Sequence, residues 1–251
     1  MKRRIFLSAI IIAKNEAKRL ERCLQSLSWA DECIVVDNGS TDETAAIAEK
    51  LGATVINACN NDFSSLRNDG ANTARGVWLL YVDADELVPP TLHEEITNKI
   101  TDAHAASAYF IPRQNYYLGS LWPTKDGMVR LMQKDSLIRW EGILHEHAVI
   151  KGSVSTLHNY FIHTTHRTLE EMVDKTNEWS DSEAKLRFDD RHPMISWWRL
   201  IRVMMTAFFD SFVKQGGWKA GTVGFIESTY QAFSMFITYA KLWELQNKGK
   251  S

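Results

Sequence analysis

The chain has 251 residues, of which 45% are hydrophobic and 24% are charged, and its formal net charge at pH 7 is −2. This composition is ordinary for a folded protein, and the length suits one large domain or one domain with a helical appendage. Because the charge gives no argument for nucleic-acid binding, we expect no nucleic-acid partner. The three cysteines, Cys23, Cys33 and Cys59, form no C-x-x-C pattern, which is typical of a reduced, cytoplasmic protein.

The start of the chain imitates a secretory signal, since basic residues precede a short apolar run. That run meets Lys14-Asn15-Glu16 with no small-residue cleavage site, so we interpret it as a strand and reject a signal peptide. Farther along, no stretch is free of charge over the roughly 20 residues that a membrane-spanning helix needs.

Strand and helix patterns alternate over about the first 90 residues. Strands are predicted at residues 7–13, 33–36, 53–57 and 77–82, and the apolar runs of the first and fourth predict that these two are buried. Helical patterns lie between them, and Ser40 with Glu43 three residues on has the form of a capping box for the second helix. This alternation predicts a parallel sheet wound right-handedly.

Carboxylates follow two of these predicted strands. Asp37 closes the second strand, and Asp83 and Asp85 close the fourth. In open α/β sheets ligands bind at the carboxyl ends of the strands, and residues two apart in an extended chain point to the same side. Two oxygen ligands at this spacing suit Mg²⁺ or Mn²⁺ that is also held by substrate phosphates. The simpler interpretation is an acidic turn that caps the next helix.

Glycine-rich phosphate loops are absent from the sequence. The first strand is followed by Lys14-Asn15-Glu16 in place of G-x-G-x-x-G, and no P-loop occurs. The sequence therefore argues against a dinucleotide enzyme and an NTPase. It also argues against a nucleotidyltransferase, an alternative of a different class that uses a similar sheet and Mg²⁺.

Four ordered segments resemble the inverting family 2 glycosyltransferases with a GT-A fold: residues 10–16, 34–42, 67–68 and 82–86. The resemblance implies an α/β fold, in which a Rossmann-like, mostly parallel sheet is flanked by helices, and a nucleotide-sugar donor. It places donor binding on six residues: Ala13, Asn15, Glu16, Asp37, Arg67 and Asp83.

The implied roles differ along the donor. Asp37 would bind the nucleobase or ribose, the main chain of the first loop would line the base pocket, and Arg67 would lie near the diphosphate. Asp85 would hold the metal, while Asp83 would either touch the metal or orient the ribose. The alternatives are a helix cap for Asn15 and Glu16 and a solvated helix charge for Arg67.

The middle of the chain is harder to interpret. We expect a helix ending near Ile100, a short strand at residues 108–112 and an aromatic loop at 116–123 that suits either sugar stacking or ordinary packing. Residues 139–146 are similar to the Gly-x-x-His-Glu segment of the lipopolysaccharide-core branch of family 2, the WaaE-like transferases.

An inverting transferase needs a carboxylate to take the proton from the acceptor hydroxyl. Asp126 is the first candidate, because it precedes the Arg-Leu segment where related families carry their base; Glu146 is the second and Glu141 the third. His145 is a candidate metal ligand because imidazole suits Mn²⁺ better than Mg²⁺, and a structural histidine is the alternative. We interpret the other histidines, including His163, as structural or surface residues.

The remaining sequence, residues 166–251, is predicted to be helical. Thr168 begins a capping-box pattern, residues 195–213 form a nearly apolar helix with a narrow polar stripe, and the last helix spans about 222–245. Residues 191–220 hold five Lys or Arg and one Asp, a net charge of +4. Tryptophan and arginine in such a segment suit a helix that lies at an anionic membrane face. The alternative is burial under neighbouring helices or in a homodimer.

We therefore expect a GT-A catalytic domain at residues 1–165 and a membrane-associating helical region at 166–251. The expected reaction moves a hexose from a nucleotide sugar to a lipid-linked saccharide, with Mg²⁺ or Mn²⁺, at the inner face of the cytoplasmic membrane. The resemblance favours UDP-glucose as donor and an inner-core heptose as acceptor. The alternatives are a transferase for another envelope glycan, for a polyprenyl-linked or protein acceptor, or a catalytically silent membrane scaffold.

Overall fold

A computed structural model of the protein describes residues 6–58, 62–142, 146–165 and 168–248. Contacts divide the chain into two units. The first unit comprises Met1–Gln114 and Asp126–His163, and the second comprises Asn115–Lys125 and Thr164–Ser251. The second unit thus gathers a short central stretch together with the C-terminal helices.

The described residues form strands of two to fourteen residues and seven α-helices. The strands are β1 (Leu7–Ala13), β2 (Glu32–Asp37), β3 (Thr54–Asn57), β4 (Trp78–Asp83), β5 (Glu86–Leu87), β6 (Ala108–Tyr117), β7 (Ser120–Gln133), β8 (Leu137–Glu141), β9 (His147–Ile150), β10 (Val154–Thr156) and β11 (Phe161–Thr165). The helices are α1 (Ala17–Ser26), α2 (Thr44–Lys50), α3 (Phe63–Thr73), α4 (Pro90–Thr101), α5 (Leu169–Asp189), α6 (Trp197–Phe209) and α7 (Gly221–Asn247).

One large sheet has the strand order β3-β2-β1-β4-β7-β6-β11-β5, and β10 adds to β6. The strands β1, β2, β3 and β4 pair in parallel, whereas β7 joins β4 and β11 joins β5 in antiparallel fashion. A separate two-stranded sheet pairs β8 with β9. The predicted α/β class with a mostly parallel sheet flanked by helices is confirmed.

The strands β1, β2 and β4 are buried on both faces, as their continuous apolar runs predict, whereas β3 at the side of the sheet is partly exposed. Ile11 and Val82 face a cluster that includes side chains of α1 and α4, while Ile10 and Tyr81 face a second cluster with α3. At Gly70 of α3 a Cβ atom would lie 2.4 Å from Cγ2 of Ile10, so only glycine allows this close approach of helix to sheet.

The aromatic loop expected at residues 116–123 is wrong, because this segment is the end of a β-hairpin. β6 and β7 are joined by Leu118 and Gly119, whose φ angles of 47° and 78° are both positive. Two such residues in succession are what a tight hairpin turn of the I′ type requires. The rings of Tyr117 and Trp122 pack edge to face across the hairpin with centroids 4.9 Å apart, which favours strand pairing over a loop.

The C-terminal helices form a core of their own. Its buried members are Ala184, Ile195, Val203, Tyr239 and Leu242. The predicted cap of α5 is confirmed, since the Glu171 amide donates to Oγ1 of Thr168 at 3.1 Å. Within the described part of the chain, no helix combines the length and hydropathy needed to cross a membrane.

Candidate active site

The carboxyl edge of the parallel strands brings the predicted acidic residues to one side of the sheet. In the register of the sheet Ala13 lies opposite Asp37, and Ile12 lies opposite Asp83 on the other side of β1. Neighbouring strands are about 4.8 Å apart, so Asp37 and Asp83 are separated by roughly 10 Å along this edge. The carbonyl oxygen of Ala13 accepts a bond of 2.9 Å from the Asn38 amide, which fixes the first loop against the second.

Hydrogen bonds tie the loops after β1 and β2 together. Asn15 adopts a left-handed φ of 55°, its amide donates to Oγ of Ser40 at 2.9 Å, and its side-chain oxygen accepts from the Thr41 amide at 2.8 Å. The Ser40 hydroxyl also donates to Asp37. The capping box predicted for Ser40 and Glu43 is therefore wrong: α2 begins only at Thr44, and the hydroxyl holds the two loops instead.

A second set of hydrogen bonds and an ion pair also hold the loops after β1 and β2. The Glu16 amide donates to Oγ1 of Thr44 at 2.8 Å, and the Glu16 carboxylate pairs with Arg19 at 2.9 Å. Asp42 accepts from the amides of Thr44 and Ala17 at 3.0 and 3.2 Å. Desolvation would raise the pKa of Asp42, but a hydrogen bond from the Thr44 hydroxyl and these two amide bonds outweigh it and hold the pKa below its usual value. The loop that would face a nucleobase is thus preformed.

Asp83 is held between two buried arginines. Arg130 binds both carboxylate oxygens, at 2.9 and 2.5 Å, and Nη2 of Arg67 lies 3.1 Å from Oδ1. Burial alone would raise the pKa of Asp83, but the positive charges of Arg130 and Arg67 outweigh it and place the pKa well below the usual range. Asp83 is therefore ionised and fixed, and its contact with a donor stays a prediction.

Glu86 belongs to the same group of charged side chains as Asp83, Arg67 and Arg130, and it also lies near Arg113 of β6. Its fully buried carboxylate accepts from the Asp83 amide at 2.9 Å and lies 3.8 Å from Arg130 and 3.4 Å from Arg113. Burial and the neighbouring charge of Asp83 raise the pKa of Glu86. Arg113 in turn makes two hydrogen bonds, of 2.9 and 2.8 Å, to Asp126, the first candidate base, whose side chain is about half exposed.

Glu146, the second candidate base, lies at the other end of the cluster. Its carboxylate accepts from Nε and Nη2 of Arg67 at 3.2 and 2.9 Å and is largely buried. Nη1 of Arg67 is buried and has no hydrogen-bond partner among the residues that the structure describes. An unpaired buried donor costs about 1–3 kcal/mol, which an oxygen of a bound diphosphate would offset. Glu141, the third candidate, pairs with Arg139 at 2.6 Å and is partly exposed.

Asp85, the candidate metal ligand, faces a histidine that the sequence analysis did not select. Nε2 of His163 lies 3.3 Å from Oδ2 of Asp85, and both side chains are nearly buried. The antiparallel pairing of β11 with β5 sets this contact, because His163 lies opposite Glu86 in the register. The predicted ligand His145 lies outside the described residues.

These two side chains fit a divalent cation that is shared with a substrate. They offer one carboxylate oxygen and one imidazole nitrogen, and the described ranges contain no cluster of three or more potential metal ligands. Ions of this kind are commonly held by one or two protein ligands while phosphates and water supply the rest. If a metal binds here, the imidazole of His163 would favour Mn²⁺ over Mg²⁺.

The sequence matches the model of a known protein family. A model of glycosyl transferase family 2 matches residues 8–161, which is more than half of the chain. The chain belongs to this family. The resemblance to family 2 stated from the sequence motifs is confirmed.

Relatives and solved structures agree with this assignment. The chain is 30% identical over 262 residues to an uncharacterized glycosyltransferase of Rickettsia felis, covering 98% of this chain and 92% of the relative. It is 25% identical to the lipopolysaccharide core biosynthesis glycosyltransferase LpsC of Rhizobium meliloti, over 95% of this chain and 92% of LpsC. S. aureus TarS 1–349, solved with UDP-GlcNAc, shares the fold with a TM-score of 0.50 at 17% identity, covering 98% of this chain and 92% of that TarS fragment.

Proposed function

We propose that this protein transfers a hexose from a nucleoside-diphosphate sugar to a lipid-linked saccharide, with inversion at C1 of the sugar. The observation that carries the proposal is the Asp85–His163 pair, because Asp85 follows Asp83 by two residues, and Asp83 lies at the sheet edge that also carries Asp37. Metal ligands, a cationic group and a carboxylate for a ribose are the three features that such a donor needs.

Each part of the donor has a matching group in the chain. Asp37 and the bonded loops at Asn15 and Glu16 receive the nucleoside, and Nη1 of Arg67 donates to the diphosphate. Asp85 and His163 hold Mg²⁺ or Mn²⁺, which when bound offsets charge on the leaving diphosphate. The fold of TarS, which was solved with UDP-GlcNAc, supports a UDP-sugar as the donor class.

Asp126 is the proposed base. It accepts the proton of the acceptor hydroxyl while the hydroxyl oxygen forms a bond to C1 and the bond from C1 to the diphosphate oxygen breaks. Its carboxylate is about half exposed, and two bonds from Arg113 orient it. Glu146 is largely buried and uses one oxygen for two bonds to Arg67, which suits positioning of the arginine.

The choice of base is tested by the effect on kcat. We expect Asp126→Asn to lower kcat by about 100- to 10,000-fold, with the melting temperature nearly unchanged, because a general base is lost at an exposed position. Glu146→Gln is expected to weaken donor binding and to lower the melting temperature, because it removes a charge partner of the buried Arg67. A larger loss of kcat in Glu146→Gln than in Asp126→Asn, at equal folded fraction, would assign the base to Glu146.

The acceptor is proposed from likeness alone. LpsC of Rhizobium meliloti is named for lipopolysaccharide core biosynthesis, which supports a lipid-linked core saccharide as acceptor for this chain. We take glucose from UDP-glucose and an inner-core heptose as the first donor and acceptor to test. Transfer to a lipid-linked acceptor would take place at the inner face of the cytoplasmic membrane.

A deletion strain of the source organism, complemented with variants, tests the enzyme against a scaffold. Mass spectrometry of the core glycan should show that wild type restores a missing hexose and that Asp85→Asn does not. Asp174→Asn, a matched change at an exposed position of α5, should restore the hexose as wild type does. A complete glycan in the Asp85→Asn strain would overturn the catalytic proposal and favour the scaffold.

A further inference from the structure

Helix α6 and the π-helical turn after it, Asp210–Lys214, carry large apolar side chains on a solvent-facing side. From the start of α6 every fourth residue is apolar and at least two-fifths exposed: Trp197 (75%), Ile201 (53%), Met205 (62%), Phe209 (52%) and Val213 (44%). Residues four apart lie about one turn apart, so these side chains form a continuous stripe roughly 24 Å long. We call these five residues the α6 stripe.

The other side of α6 already has its packing partners. Val203 is buried in the core of the C-terminal helices, where Leu200 also packs. The ring of Phe208 meets that of Phe225 on α7 with centroids 5.9 Å apart. Because this side holds α6 on α7, the α6 stripe is left as an apolar surface on a fixed helix, and apolar patches of this kind mark interaction sites.

Positive charge and aromatic rings accompany the stripe. The guanidinium carbons of Arg199 and Arg202 lie 5.5 and 5.7 Å from the centroid of the Trp198 ring, and Arg202 is exposed. The ammonium group of Lys219 lies 5.5 Å from the ring of the exposed Trp218. Tryptophan and cations in this arrangement suit the headgroup level of a bilayer, next to an apolar surface that enters the acyl boundary.

The net charge of residues 191–220 distinguishes between two partners for the α6 stripe, a second copy of the chain and a lipid surface. Residues 191–220 carry a net charge of +4, and their one acidic residue, Asp210, lies 2.6 Å from the ammonium group of Lys214. In a twofold dimer through the α6 stripe, like charges would meet across the interface, which is unfavourable. An anionic lipid surface complements the same charges.

We propose that the α6 stripe and its flanking cations dock this protein on an anionic phospholipid surface, with α6 lying in the plane of the interface. The proposal deepens the proposed function and rests on it for the acceptor, since a lipid-linked acceptor requires an enzyme at the membrane. Binding to lipid itself needs neither donor nor metal, so the two proposals fail independently.

Co-sedimentation of the full chain with lipid vesicles tests the docking surface. Wild type should bind vesicles of phosphatidylglycerol and phosphatidylethanolamine, bind more weakly in high salt, and bind phosphatidylcholine vesicles poorly. Ile201→Ser with Met205→Ser should weaken binding at least tenfold, and Arg202→Gln about fivefold. All three substituted residues are exposed, so the melting temperature of each variant and its affinity for UDP should match those of wild type.

A matched control lies on α5, where Trp179 and Lys185 are exposed. Trp179→Ser with Lys185→Gln removes an indole and a charge from another helix and should leave vesicle binding unchanged. Equal vesicle binding by wild type and the Ile201→Ser/Met205→Ser variant would overturn the proposal. Wild type binding phosphatidylcholine vesicles as tightly as phosphatidylglycerol-containing vesicles would also overturn it. A dimer that this variant converts to a monomer, with vesicle binding unchanged, would make the stripe a subunit interface instead.

Discussion

Buried and exposed arginines of this protein have opposite surroundings. Arg67 and Arg130 are buried at the sheet edge and are paired with the carboxylates of Asp83 and Glu146. Arg202 on α6 is exposed and lies over an indole ring. Buried charges persist only when they are neutralised by close partners, whereas exposed ones remain available to bind. Arg67 and Arg130 therefore shape the candidate site, whereas the charge of Arg202 is accessible to the lipid surface proposed above.

Replacing one buried arginine gives the largest expected effect on stability. Arg130→Met removes a partner of both Asp83 and Glu86 and leaves two carboxylates under-compensated in the interior. We expect the free energy of unfolding to fall by about 3–5 kcal/mol, measured by urea denaturation. Arg202→Met on the exposed surface is the matched control and should change it by less than about 0.5 kcal/mol. Equal effects of the two substitutions would contradict the comparison.

A smaller effect is expected at the backbone contact between the glycines of the C-terminal helices. A Cβ atom at Gly224 would lie 1.7 Å from the carbonyl oxygen of Gly217, so Gly224→Ala must displace α7. Overpacking of this kind costs about 1–3 kcal/mol. The exposed Gly221, where a Cβ meets no atom within 4 Å but φ is +60°, offers a comparison for strain without a clash. A Gly224→Ala variant as stable as wild type would exclude this close packing.

The pH dependence of stability should have opposite signs for the two neighbouring carboxylates. The lowered pKa of Asp83 gives stability that is present above the unfolded value of about 3.9 and is lost as pH falls through the folded pKa. The raised pKa of Glu86 gives stability that is present below about 4.3 and is lost as pH rises through the folded pKa.

Urea denaturation at a series of pH values, with Asp83→Asn and Glu86→Gln, measures this difference. Relative to Asp83→Asn, wild type should lose stability below about pH 4. Relative to Glu86→Gln, it should lose stability as pH rises above about 4. The same sign for both variants would mean that the two carboxylates do not share one buried cluster.

The first four strands and the carboxylates at their ends were predictable because the signals are local. The apolar runs of β2 and β4 end in Asp37 and Asp83, and the parallel pairing of both strands with β1 brings these ends to one edge of the sheet. The helical periods of the C-terminal segment likewise predicted α5, α6 and α7.

Contacts between distant parts of the chain were not predictable in this way. His163 meets Asp85 through the two-residue strand β5, which is too short to show a periodic pattern. The pairing of Arg130 with Asp83 depends on β7 joining β4, and no local rule selects that pairing. The hairpin of β6 and β7 has Leu118 where a common turn signal would place asparagine or aspartate, so its aromatic residues were interpreted as a loop.

The measurement that tests the central claim most directly is a thermal-shift titration of the full chain with UDP, with and without Mn²⁺. A ligand that binds only the folded protein raises the melting temperature by mass action. We predict a Mn²⁺-dependent rise with UDP for wild type and for Asp174→Asn, and a loss of that rise in Asp85→Asn and His163→Ala. No rise with UDP or any other nucleotide, or an equal rise in the Asp85→Asn variant, would contradict a metal-assisted nucleotide-sugar site at this sheet edge.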